Sequence, residues 1–246
     1  MSTNKTRRVT TMMVVLVILF STFSSVAMAA PAVPVTFTIL HTNDFHGQLE
    51  WKSGGSSSNP GMARLAAVVN GVRTAVGSSN VLLLDAGDEM QGSLLSNIQK
   101  GKPTIAVYNA LGYQAATLGN HEFDWGKTVL QERIAEATYP YVSANNVVND
   151  TGNCSTAGWT TPSFLQPYVI KTVGTAANTV KVAIIGVTTP ETPIITIASA
   201  TEGLCFKDPA TAILNYYDAM KAQADVVVVL SHLGYGDGGY GYGIPI

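Results

Sequence analysis

Four short apolar runs, each passing straight into a polar cluster, constrain this 246-residue chain more than any other feature. Residues 35–40 (VTFTIL) run into HTNDFHGQ, residues 81–84 (VLLL) into DAGDEMQG, residues 115–118 into GNHEFDWG, and residues 226–230 (VVVVL) into SHLGYG. Continuous apolar runs of this length, some of them β-branched, suit strands covered on both faces. Segments with helical spacing lie between them. Residues 63–76 carry Leu65, Val68, Val69, Val72 and Val76 at that spacing. Residues 104–111 can start a helix after Pro103 and stop at Gly112, and residues 127–137 form another before Pro140. Residues 209–222 form a further helix, with Asp208 as N-cap and Pro209 in the first turn. Residues 180–187 (VKVAIIGV) read as a strand, paired in a hairpin with residues 168–173 through a turn at 174–179. Strands alternating with helices imply βαβ units and the α/β class. In such sheets ligands bind beyond the carboxyl ends of the strands, and the four polar clusters fall there. Residues 53–61 (SGGSSSNPG) read as a flexible loop.

Residues 1–29 read as a secretory signal peptide. Lys5, Arg7 and Arg8 give a basic start, residues 12–20 (MMVVLVILF) an apolar core, and Ala27-Met28-Ala29 the small-x-small cleavage pattern. The apolar run is short for a bilayer span, so no stable membrane span is expected after cleavage. The chain is expected to be exported to a periplasm, a cell wall or the medium. Cleavage after Ala29 removes three basic and no acidic residues and takes the formal charge from −2 to about −5. No basic patch remains to suggest a nucleic-acid polymer as partner. In an oxidising compartment Cys154 and Cys205 are expected to form one disulfide, the alternative being two free buried thiols. Their flanks, NCSTAGW and GLCFKD, read as loops. The bridge would close a loop of about fifty residues and contribute roughly 3–4 kcal/mol. The two cysteines lack C-x-x-C spacing, which argues against a redox protein.

All four histidines, His41, His46, His121 and His232, stand in polar segments just after an apolar run. Asp44 and His46 are two residues apart, a spacing that can bring a carboxylate and an imidazole to one ion at a strand end. Asp88 follows Gly87, where the backbone can turn tightly and aim the carboxylate. Asn120 offers a neutral oxygen and His232 another nitrogen. Oxygen and nitrogen ligands without cysteine suit Zn²⁺, Mn²⁺, Fe²⁺ or Co²⁺. A bridging carboxylate would let two ions sit roughly 3.5–4 Å apart. Residues 120–124 place an amide, an imidazole and two carboxylates in one turn between Gly119 and Gly126.

The motifs LHTNDFHG, DAGDEMQGS, LGNHEFDWG and VLSHLG resemble those of the calcineurin-like metallophosphoesterases, and among them the secreted 5′-nucleotidase and 2′,3′-cyclic-nucleotide phosphodiesterase group. The resemblance runs from about residue 35 to residue 234. It implies a four-layer α/β/β/α metallophosphatase sandwich. It also implies hydrolysis of nucleotide phosphate esters, or another small phosphoester, by water activated between two divalent metal ions (Zn, Mn, Co or Fe). Position by position, it implies that Asp44 and His46 bind one metal, Asn120 and His232 the other, and Asp88 both. His121 would contact the substrate phosphate and stabilise the leaving oxygen, with Asp124 orienting it. Glu122 is expected to support its loop by hydrogen bonds, and His41, Phe123 and Trp125 to be structural. Complete members of the group continue with a strand ending in G-H-x-H or G-H-x-Q, which adds one ligand to each metal, and with a C-terminal nucleobase-binding domain. After His232 this sequence runs through GYGDGGYGYGIPI and carries neither. The catalytic domain, residues 30–246, is therefore expected to be truncated, with its sheet incomplete at the C-terminus and the nucleotide-binding domain absent. The alternative to an enzyme is an inactive exported fragment that binds metal or nucleotide.

Overall fold

A computed structural model of the chain describes residues 34–53, 59–149, 154–155, 158–175 and 178–234. The expected signal peptide, residues 54–58 of the expected loop, and the tail 235–246 lie outside the described residues. The described residues from Val35 onward form one compact unit.

The apolar runs become the strands of two sheets. The first is wholly parallel, in the spatial order β1 (Thr38–Thr42), β2 (Val81–Asp85), β3 (Ala115–Thr117) and β4 (Tyr141–Val142). The second has the order β10 (Val226–His232), β8 (Asn178–Thr188) and β7 (Tyr168–Thr175). Strands β8 and β10 run parallel, and β7 and β8 form the expected antiparallel hairpin. A small antiparallel sheet of β6 (Trp159–Thr160), β5 (Asn146–Asn149) and β9 (Cys205–Phe206) stands apart.

Strand β2 shows why the layers stack as they do. Every residue of VLLLD is buried, and successive side chains point to opposite faces. Leu83 faces a helical layer and packs with Met62 and Val69 of α1 (Gly61–Val76). Ile105, Tyr108 and Leu111 join it from α3 (Lys102–Leu111), and Leu130 from α4 (Gly126–Glu136). Leu82 and Leu84 face the second sheet and pack with Val182, Ile184 and Leu230. The far face of that sheet, through Ala183 and Ile185, carries Ala212 and Met220 of α6 (Pro209–Lys221). The layers therefore run helix, sheet, sheet, helix, the α/β/β/α order that the resemblance implies. Each fully buried leucine contributes about 1.5–3 kcal/mol. Gly186 marks a close approach of the two sheets, since a Cβ there would meet the Val142 carbonyl oxygen and Thr117 Oγ1.

Several boundaries follow the sequence reading. Asp208 caps α6 by accepting the Thr211 amide at 2.8 Å, and α3 ends at Gly112 with φ 72°. Others move. Strand β1 lies closer to its polar cluster than residues 35–40, because its pairing with β2 runs from Thr38↔Val81 to Thr42↔Asp85. Helix α3 starts at Lys102, ahead of the expected 104, because proline fits a first helical turn. Two short helices, α2 (Leu94–Ile98) and α5 (Thr192–Ile195), and the short strands β4, β5, β6 and β9 are too brief to leave a periodic signal. Cys154 and Cys205 are joined in a disulfide. The second flank is not simply a loop, because Cys205 is buried on β9 and pairs with Val147.

Candidate metal and catalytic site

The carboxyl ends of β1, β2, β3 and β10 supply the site. The loop after β1 is laid onto the loop after β2 by three backbone bonds: Asp44 N–H to Gly87 O at 2.9 Å, His46 N–H to Asp88 O at 2.9 Å, and Gly47 N–H to Glu89 O at 2.8 Å. This docking holds Asp44, His46 and Asp88 at φ 51°, 51° and 58°. Left-handed backbone is uncommon for residues other than glycine, and such strain clusters at functional positions. Here it falls on three of the side chains expected to bind metal.

Those side chains converge. Ligand atoms of Asp44, Asp88 and His232 all lie within 4.8 Å of one another. His232 Nε2 is 3.2 Å from Asp88 Oδ2, and His46 Nε2 is 4.0 Å from both Asp88 Oδ2 and Asp44 Oδ1. Each ring is fixed through its other nitrogen: His46 Nδ1–H donates to Gln91 O at 2.7 Å, and His232 Nδ1–H to Ala86 O at 2.9 Å. A carbonyl can only accept, so the Nδ1 atoms carry hydrogen and both Nε2 atoms face the carboxylates, the orientation of metal-ligating imidazoles. Asn43 Nδ2 donates to Asp44 Oδ2 at 2.6 Å. Asn120 is half-buried and opens the 3-10 turn His121–Phe123, whose first amide, His121 N–H, donates to Asp88 Oδ1 at 2.9 Å. The backbone thus carries Asn120 beside Asp88. His41, expected to be structural, is exposed on β1 and lines a groove of about 540 Å³ with Asp44, Val228 and His232.

The same turn builds a second pair. His121 Nδ1 lies 2.7 Å from Asp124 Oδ2, three residues on, and the His121 ring stands edge-on to His46 with centroids 5.3 Å apart. The other Asp124 oxygen accepts a hydrogen bond from Thr196 Oγ1 at 2.6 Å. The sequence reading missed Thr196. It lies 72 residues from Asp124, in a segment with no motif, and nothing local signals it.

Buried acids support the site from below. The Glu122 carboxylate is 1% exposed and accepts the amides of Asp88 at 2.7 Å, Gly119 at 2.7 Å and Glu89 at 3.0 Å. It ties the β2 and β3 loops together, the supporting role expected of it. Burial raises its pKa to about 7, and the nearby Asp88 charge adds to this. Behind it Asp85 accepts from Gly87 N–H and Tyr108 O–H, and burial raises its pKa to about 6. Burial, with the charges of Asp85 and Glu122, pushes Glu89 well above the carboxylate range. Burial also works against the charge on Asp88, but the hydrogen bond and charge of His232 outweigh it and hold that carboxyl below its ordinary value. The converse holds for His232, where burial disfavours the proton while Asp88 raises the pKa to about 9. Burial lowers His121, but the Asp124 hydrogen bond and the Asp88 charge bring it above the ordinary histidine value.

Gly119 permits this packing. A Cβ there would collide with Asp88 Oδ1 and lie 2.6 Å from Asp88 N. A Gly119→Ala variant is expected to lose roughly 1–3 kcal/mol of stability and to weaken metal binding by displacing Asp88. Urea unfolding and Mn²⁺ titration of the variant would check both.

A four-layer α/β sandwich with oxygen and nitrogen ligands gathered at its strand ends defines a protein of the metallophosphatase class. Residues 37–244 match the calcineurin-like phosphoesterase family, and the chain belongs to that family. The 5′-nucleotidase of Bos taurus is 37% identical over 213 residues, which cover 83% of this chain and 35% of that protein. Among solved structures, the calcineurin-like phosphoesterase YfkN from Bacillus subtilis aligns with a TM-score of 0.67 and 30% identity, over 82% of this chain and 64% of that one. The 5′-nucleotidase precursor from Thermus thermophilus aligns with a TM-score of 0.67 and 34% identity, over 82% and 38%. The chain spans about a third of the length of the curated relatives it matches.

Proposed function

We propose that this chain is the catalytic part of an exported, metal-dependent phosphoesterase that hydrolyses nucleotide phosphate esters. The observation that carries this reading is Asp88, whose Oδ2 is faced by the Nε2 atoms of two oriented imidazoles while a histidine–aspartate pair stands beside them. The residues fit a pair of divalent cations, since the donors are oxygen and nitrogen and both imidazoles are held in the ligating tautomer. Asp44 and His46 would hold one ion, Asn120 and His232 the other, and Asp88 both. Such ions supply, when bound, an activated water nucleophile and neutralisation of charge at phosphorus.

The chain's own side chains do the rest. Asp124 holds the Nδ1 proton of His121, so Nε2 is the atom turned to substrate. The raised pKa favours a proton on that atom, from which His121 donates a hydrogen bond to a phosphate oxygen and passes a proton to the departing nucleoside oxygen. The names of the relatives support a nucleoside monophosphate as substrate. The leader-like residues 1–29 and the disulfide support export. Among the described residues no helix is long and apolar enough to cross a membrane.

The test is phosphate release from AMP with added Mn²⁺. The Asp88→Asn variant should be slower by more than about 100-fold, because loss of a metal ligand should exceed the 10–100-fold cost of losing the group behind one. Equal rates for the two proteins would sink the enzyme reading.

A further inference from the structure

The segment between β8 and β9 is tied to the site at both ends. At its start Thr188 Oγ1 donates to Leu118 O at 2.7 Å, just ahead of the Gly119–Asn120–His121 turn, and Thr189 N–H donates to His232 O at 2.8 Å. Thr192 then donates its hydroxyl to Thr189 O at 2.7 Å, and Thr196 N–H donates to Thr192 O at 3.2 Å. The run ends at the Thr196 hydroxyl on Asp124 Oδ1 at 2.6 Å. A ladder of hydrogen bonds thus joins the backbone of a candidate metal ligand to the carboxylate that orients the candidate acid.

The geometry at Asp124 shows what this ladder does. The Asp124 side chain is 18% exposed, and its Oδ2 holds His121 Nδ1 at 2.7 Å. A carboxylate fixed through one oxygen can still turn about its terminal torsion, which is broad and roughly two-fold. A second bond to the other oxygen fixes its plane, and with it the direction of the imidazole. Thr196 is backbone-anchored and half-buried, so its hydroxyl is held in place to make that bond. Flanking Ile194, Ile195 and Ile197 are exposed, so apolar packing of these neighbours does not fix the segment here.

We infer that Thr196 is a positioning residue for the His121–Asp124 pair, setting the carboxylate plane so that the imidazole points to the substrate phosphate. This rests on the phosphoesterase reading above for its chemical consequence, but the orientation itself is a property of the metal-free chain.

Two measurements separate the ideas. In AMP hydrolysis, Thr196→Val should lower kcat by about tenfold with KM nearly unchanged, the scale of losing a group that orients a reacting one. Thr196→Ser, which keeps the hydroxyl, should recover most of the loss. Unchanged kcat in Thr196→Val, or an equal loss in both variants, would overturn the inference. The second measurement records carbon-bound ring proton to ¹⁵N correlations of the histidines in the metal-free full chain. The His121 signals, assigned by their loss in His121→Asn, should shift in Thr196→Val and return in Thr196→Ser, while those of His232 stay in place. Unmoved His121 signals would overturn the inference. If the parent chain releases no phosphate from AMP while these spectra behave as stated, the phosphoesterase reading fails and the positioning role stands.

Discussion

Glu122→Ala should destabilise the metal-free chain by roughly 3–6 kcal/mol, since an unsatisfied buried hydrogen-bonding group typically costs about 1–3 kcal/mol. The amides of Asp88, Glu89 and Gly119 all donate to this one carboxylate, and alanine offers them nothing. Relief of the burial penalty on Glu122 itself trims the loss but does not cancel it, because three donors lose one acceptor group. A fall of this size is comparable to the whole stability of many domains. Glu122→Gln should be milder, keeping one acceptor oxygen while turning an NH₂ group towards an amide. Asp88 is delivered by the same loop, so metal affinity should fall along with stability. Urea unfolding of the three proteins would read the first effect and Mn²⁺ titration the second. A loss below about 1 kcal/mol in Glu122→Ala would mean that the loop amides find other acceptors.

The second large effect is on pH. Asp85, Glu122 and His232 all hold their protons more tightly folded than unfolded, with values raised to about 6, about 7 and about 9. A raised folded value contributes stability that is fully present below the unfolded pKa and is lost as pH rises through the folded one. The depressed Asp88 acts in the opposite sense, but its contribution is complete once the pH is well above the ordinary aspartate value. The metal-free chain should therefore lose stability steadily from pH 5 to pH 9, by up to roughly 7 kcal/mol where the three groups titrate independently, measured as a falling midpoint of thermal or urea unfolding. Metal binding should reverse this trend. His232 can ligate only without its Nε2 proton, so binding at pH 7–8 should release about one proton. Calorimetric titration with Mn²⁺ in buffers of different ionisation heat would show it. Heats independent of buffer, or a stability that rises from pH 6 to pH 9, would contradict the Asp88–His232 assignment.

Much of the site was legible in the sequence for a local reason. His121 and Asp124 were paired through the resemblance of their motif to the metallophosphoesterases, and the one short turn they share brings the two side chains together. Glu122 was expected to support its loop by hydrogen bonds, and it accepts the amides of Asp88, Glu89 and Gly119. The strand ends could be read because a run such as VLLLD, buried on both faces, has nowhere to continue once it turns polar. The acid layer was less visible. Asp85 and Glu89 look in sequence like further polar residues of a strand-end cluster, and only the helices and tyrosines packed over them bury them and raise their pKa values.

By itself, then, the sequence determined the α/β class, most long elements and their ends, and the residues able to carry ligand or proton chemistry. These follow from periodicity, caps and side-chain type, all of which act within a few residues. The tertiary structure alone decided that Asp44, Asp88 and His232 bring ligand atoms within 4.8 Å, that two imidazoles turn their Nε2 atoms towards one carboxylate, and that Thr196 reaches Asp124. Those distances depend on parallel pairing of strands far apart in the chain and on apolar packing between two sheets. Such long-range contacts form because burial of the whole core stabilises them together, and no single stretch of sequence holds that information.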